Sequence, residues 1–175
     1  ATGELTSRPQ GTVTNGDAMV LDTPSAAALA ALIERLDPRD VVMTGRPKNG
    51  ARTATVKTDK RVRGLGEDAA ARGIVARTLD HFTFPPGPGW LLIDHDTKGM
   101  TDTVRARVAE LGGGLGALVH IWPEVEGAAR VFKPSSSGGV YIEGGSPRAA
   151  TGFHLFVLVE DVSRSAEALA ALQAR

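Results

Sequence analysis

The chain has 175 residues, twenty Lys and Arg against twenty Asp and Glu, 42% apolar residues and no cysteine. That length bounds it to one domain, or one domain with an appendage; balanced charge leaves any nucleic-acid surface to a local patch; missing thiols exclude disulfides, thiolate metal sites and cysteine nucleophiles. No apolar run approaches the roughly 20 residues of a membrane span and no basic-then-apolar export signal opens the chain, so a cytoplasmic protein with no membrane partner is expected.

Residues 1 to 22 alternate turn formers with short apolar pieces and show no periodicity. Thr23-Pro24-Ser25 then introduces AAALAALIERL, which reads as a helix with an N-cap candidate and an early proline. VVMTG (41–45) suggests a short strand closed by a glycine turn, and ARTATVKT alternates as a half-exposed strand does. EDAAARGIVARTLDHF suggests a second helix weakened by Gly73, and PPGPG (85–89) is a hard stop. Through this half runs a basic segment: Arg46, Lys48, Arg52, Lys57, Lys60, Arg61 and Arg63 against the single acid Asp59. Such a patch suits a template strand of DNA. It carries no interleaved aromatics for base stacking, and a solvated surface hairpin is the competing reading.

Beyond the stop, WLLIDHD reads as a strand and TDTVRARVAELGG as a helix with a threonine cap and a glycine terminator. GALVHIW is an ambiguous apolar run, ARVFKPSSS and VYIE suggest strands around a glycine turn, TGFHLFVLVE is the strongest strand, and SRSAEALAALQAR a capped amphipathic helix. The expected class is therefore α+β: a smaller N-terminal α/β unit (1–87), then an RNA-recognition or ferredoxin-like sheet with helices on one face (88–175). The order strand, helix, strands, helix lacks only the last strand of a split βαβ unit, which is expected to lie beyond Arg175 or to come from the N-terminal half.

Chemistry concentrates at Asp94-His95-Asp96. Residues i and i+2 of a strand share a face, so both carboxylates point one way and His95 the other. Paired carboxylates suit hard cations such as Mg²⁺. The plain alternative is that Asp94 caps the following turn and Asp96 is merely solvated. KPSSSGG (133–139) offers a lysine and three hydroxyls ahead of a glycine turn, either a phosphate cradle or an ordinary polar loop. His154 lies inside an otherwise apolar run, where a lone histidine is either a packed face residue or a partner of the aspartates.

LLIDHD, KPSSSGGVY and TGFHLFVLV, in this order, resemble the catalytic core of the archaeo-eukaryotic primase superfamily, the primase-polymerases, in the versions carried by plasmids and phages. The resemblance covers about residues 88 to 162, and the first 87 residues only loosely. It implies a DNA primase or polymerase, a nucleotidyltransferase that uses Mg²⁺ or Mn²⁺, nucleoside triphosphates and a single-stranded DNA template, with a fused or separate helicase as partner. Asp94 and Asp96 would bind metal, and His154 would contact the phosphates of the incoming nucleotide, with Gly152 in the family's small-residue position. Lys133, Ser135, Ser136 and Ser137 would hold the triphosphate, with Arg130 as a further candidate. The family's third acid follows the histidine on a later strand; here Glu160 or Asp161 are the candidates within the chain. Two other readings stay open: a non-catalytic module that binds DNA or nucleotide, and a metal-dependent nuclease. The latter would want an H-x-H pair, whereas His81, His95, His120 and His154 are scattered.

Overall fold

The computed structural model describes residues 14–135, apart from residue 38, and residues 152–174. They form mixed α and β structure with three small sheets, and the chain divides into two compact units at the Gly87–Pro88 junction, within PPGPG.

In the N-terminal unit the elements are β1 (Asn15–Met19), α1 (Ala26–Glu34), β2 (Arg46–Pro47), β3 (Thr53–Lys57), α2 (Asp59–Leu65), α3 (Glu67–Ala71), β4 (Ile74–Ala76) and β5 (Phe82–Thr83). β3 lies between β1, antiparallel, and β4, parallel, while β2 and β5 make a separate two-stranded ladder. α1 starts where expected, because the Ser25 hydroxyl accepts the Ala28 N–H at 3.2 Å and satisfies a donor the helix leaves unpaired. Ala54 and Val56 of β3 pack with Val75 and Phe82 on one side of the sheet, and Ile74 and Ala76 pack with Val62 and Ala69 on the other.

Three sequence expectations change in this unit. Asn15–Met19 is a strand although its residues alternate between exposed and half-buried without a strong apolar signal; its pairing with β3 supplies what local pattern lacks. Val41–Thr44 forms no strand. The expected helix over EDAAARGIVARTLDHF stops after Ala71, since Gly73 takes φ +63°, and Ile-Val-Ala becomes a strand buried on both faces. A strand covered on both sides shows no alternation, so its period cannot be read locally.

The second unit holds β6 (Gly89–His95), α4 (Asp102–Glu110), α5 (Gly113–Ile121), a 3₁₀ turn (Pro123–Glu126), β7 (Arg130–Pro134), β8 (Phe153–Val159), a second 3₁₀ turn (Val162–Arg164) and α6 (Ser165–Gln173). β8 is central, antiparallel to β6 on one side and to β7 on the other. β6 and β7 therefore run the same way, with helices on the connection between them. The apolar run GALVHIW resolves as part of α5, whose Leu118 packs with Val125, Phe153, Leu155 and Val157 on one sheet face, joined by Leu172 of α6. Thr101 caps α4 through the Val104 N–H at 3.4 Å, and Gly112 ends it at φ +85°. The strand expected at VYIE lies outside the described residues. Among the described residues no helix is long and apolar enough to cross a membrane.

Candidate functional site

Register places the polar residues of the second unit. Across the sheet Asp94 of β6 stands opposite His154 of β8, and His154 stands opposite Lys133 of β7. Residues opposite one another in an antiparallel ladder point to the same face with Cβ atoms about 5 Å apart. One row thus carries an acid, an imidazole and an amine. Asp94 Oδ1 lies 3.4 Å from His154 Nε2, and its side chain is 68% exposed against 38% for the histidine, so the acid is solvent-facing and the imidazole half-covered.

One step towards the strand ends lies a second row. Gly152 sits beside Asp96, and its carbonyl accepts the Ser135 N–H at 2.9 Å. A Cβ on Gly152 would fall 2.5 Å from the His95 carbonyl oxygen, closer than any side chain tolerates, so only glycine lets β8 approach β6 here. Asp96 Oδ1 accepts the Lys98 N–H at 2.9 Å and fixes the turn that leaves β6. The two aspartates have thus exchanged the parts of the plain alternative: Asp96 holds the turn, and Asp94 faces solvent beside the histidine.

Other candidates fall elsewhere. Arg130 belongs to the opposite face, in register with Val157, and its guanidinium donates to the Val125 carbonyl and, at 2.7 Å, to that of Glu126. It holds the first 3₁₀ turn and is not brought to the row. Asp161 sits past the far end of β8, where Oδ1 accepts the Ser163 N–H at 3.0 Å and caps the second 3₁₀ turn. Seven residues of extended chain place it roughly 20 Å from His154. Glu160 is at that same far end. Ser136 and Ser137 lie outside the described residues. His95 is on the helix-covered face, its ring stacked on Phe153 at 4.7 Å.

The basic segment is largely committed to internal partners. Arg52 donates to Asp22 Oδ2 at 2.9 Å and Arg46 stands 3.8 Å from the same carboxylate, while Arg63 pairs with Asp59 at 2.8 Å and Lys57 reaches Asn15 Oδ1 at 3.1 Å. The hydrogen bond from Arg52, then its charge and that of Arg46, hold the Asp22 carboxyl below the usual range. Lys48, Lys60 and Arg61 remain exposed and without a side-chain partner among the described residues. Nothing in residues 1 to 22 marks Asp22 locally as a partner for arginines so far along the chain. A groove of about 410 Å³ between residues 21–23 and α1 is mostly apolar, and its one acid is this same Asp22.

Whether the second unit's residues suit a divalent cation can be judged from the donors. Two carboxylates two residues apart, neither bound by an arginine, are the oxygen donors Mg²⁺ and Mn²⁺ take. Among the described residues no three His, Asp or Glu side chains gather into a cage. The set therefore fits an ion that completes its coordination with water and a ligand's phosphates, which is how Mg²⁺ usually meets proteins. Compared with family models, curated proteins and solved structures, the chain matches none.

Proposed function

We propose that the unit from Pro88 onward is a primase-polymerase-type nucleotidyltransferase, working in the cytoplasm on the DNA of a mobile element, with nucleoside triphosphates and single-stranded template as substrates. The observation that carries this reading is the in-register row Asp94–His154–Lys133, with Gly152 letting β8 approach β6 beside it. An acid at one side, an imidazole in the middle and an amine at the other match the needs of a metal-bound triphosphate: oxygen donors for the ion, and hydrogen-bond donors and positive charge for the phosphates. The strand order β6-β8-β7, with helices packed on the opposite face, supports three quarters of a ferredoxin-like sheet.

Asp94 and Asp96 would hold Mg²⁺ or Mn²⁺, which when bound neutralises phosphate charge and lowers the pKa of an attacking hydroxyl. His154 and Lys133 would bind and orient the phosphates, with Ser135, Ser136 and Ser137 helping to hold the triphosphate. Most of the rate enhancement in phosphoryl transfer comes from such positioning and charge stabilisation. Lys48, Lys60 and Arg61 are the cations available to a template strand, and a helicase is the expected partner.

Template-dependent nucleotide incorporation with Mn²⁺ or Mg²⁺ on single-stranded DNA tests the proposal. Asp94→Ala with Asp96→Ala should reduce it by more than about 100-fold, the scale of losing one preorganised charge-stabilising group or more. Incorporation that survives the double substitution would refute it. The lack of a third acid near the row among the described residues favours a second reading, nucleotide binding without synthesis. Under that reading the wild-type chain binds Mn²⁺–ATP and incorporates nothing.

A further inference from the structure

The opposite face of the sheet, directly behind the polar row, carries a second row. His95 of β6 stacks on Phe153 of β8 with centroids 4.7 Å apart and planes 5° from parallel, and Phe153 contacts Phe132 of β7 at 5.0 Å and 35°. Each ring is the chain neighbour of a polar-row residue: His95 lies between Asp94 and Asp96, Phe153 between Gly152 and His154, and Phe132 precedes Lys133. α5 closes over the stack at Gly114, where a Cβ would fall 2.7 Å from His95 Cε1 and Nε2 and 2.8 Å from a Phe153 ring carbon. His95 Nδ1 is buried and has no hydrogen-bond partner.

We propose that this aromatic layer positions the polar row, and that His95 is its principal positioning residue, acting through the shape of its ring and not through its nitrogens. The reason lies in where the row stands. The paired strand residues end at His95, Phe153 and Pro134, Pro134 has no N–H to give, and the Ser135 N–H bonds the Gly152 carbonyl one position beyond. Strand ends with few ladder bonds fray. Successive side chains of a strand point to opposite faces, so a ring clamped at 95 fixes the backbone that aims 94 and 96. Stacking here reinforces the few hydrogen bonds at the strand ends. A metal-ligand or proton-carrier role for His95 is disfavoured by its placement: the ring belongs to the covered face, with one nitrogen orphaned and the other against Gly114. This proposal rests on the nucleotide reading only for the identity of the ligand, since the geometry it explains is that of Asp94 and His154 themselves.

The test uses the full chain with two readouts: the side-chain NMR signals of His154, which report its contact with Asp94, and binding of Mn²⁺–ATP. His95→Phe keeps a flat ring and removes the orphaned nitrogen, so His154 signals and binding should stay at wild-type values and the melting temperature should not fall. His95→Ala and Gly114→Ala, which remove or displace the ring, should move the His154 signals and weaken binding about ten- to a hundred-fold. His95→Leu fills the space without a stacking plane and replaces the alanine variant if that one does not fold. Leu118→Ala, in the same core, should lower stability and leave the His154 signals in place. The proposal is overturned if loss of the ring leaves those signals unchanged, if Leu118→Ala moves them equally, or if His95→Phe fails as His95→Ala does. Absence of Mn²⁺–ATP binding in the wild type would defeat the nucleotide reading alone, because the His154 signals are read without nucleotide.

Discussion

The two units treat charge in opposite ways. In the N-terminal unit the conspicuous cations are spent on the chain itself, two arginines on Asp22 and one on Asp59. In the second unit fewer charged residues are aligned by strand pairing into one row, and the acid of that row faces solvent. A dense run of charge in sequence is thus a poor guide to which cations stand free, whereas residues at matching strand positions are held on one face whatever their charge. The physical reason is local. Arginines close in space find carboxylates to share, but residues on a pleated sheet are held pointing one way by a ladder that their side chains do not form.

The sharpest way to break this contrast is one substitution made in both units. Gly152→Ala puts a methyl group into the His95 carbonyl and should cost about 1–3 kcal/mol, with loss of nucleotide incorporation as β8 moves from β6. Gly64→Ala, inside α2 with nothing within 4 Å, should instead stabilise by about 0.5–1 kcal/mol. Urea denaturation of the two variants decides it, and equal effects would remove the distinction.

Template affinity measured against salt gives a smaller effect. Replacing Lys60 and Arg61 with alanine should lower the slope of log affinity on log salt by about 0.7 per cation on single strands. Replacing Arg46 and Arg52 should lower it by less than replacing Lys60 and Arg61, because the shared Asp22 carboxylate already offsets one of their two charges. A larger loss from the Asp22-bound pair would show that these arginines leave their partner to meet DNA.

The smallest expected change concerns acid. A carboxyl whose folded pKa is depressed contributes stability that is present above its unfolded value of about 3.9 and is lost as pH falls through the folded value. Asp22 is such a group. Asp22→Asn should therefore flatten the acid limb of a stability–pH curve below about pH 4 and leave its shape between pH 5 and 8 unchanged. Circular dichroism at fixed urea across that range checks it.

Much of the second unit was legible because its signals are local. The Thr101 cap and Gly112 terminator mark α4, and seven apolar-rich residues mark each of the strands β6 and β8. The polar row was legible only in part: the spacing of Asp94 and Asp96 announced a shared face, but that His154 and Lys133 stand in line with Asp94 follows from register across three strands. The N-terminal unit resisted for the same reason. β1 has no pattern of its own, and β4 is three apolar residues that pair with β3 in parallel and are covered on both sides.

By itself the sequence determined where α1 and α4 begin, that α4 stops at Gly112, that β6 and β8 are strands, and that acids, a histidine and a lysine sit near strand ends, since caps, glycine conformations and side-chain alternation are properties of neighbouring residues. Only the tertiary structure decided which of those groups meet: Asp94 with His154, Asp22 with two arginines, three rings beneath the polar row, and Arg130 and Asp161 elsewhere. Those meetings depend on strand register and on glycines such as 114 and 152 that permit close approach, and contacts between residues tens of positions apart leave no periodic trace in the chain.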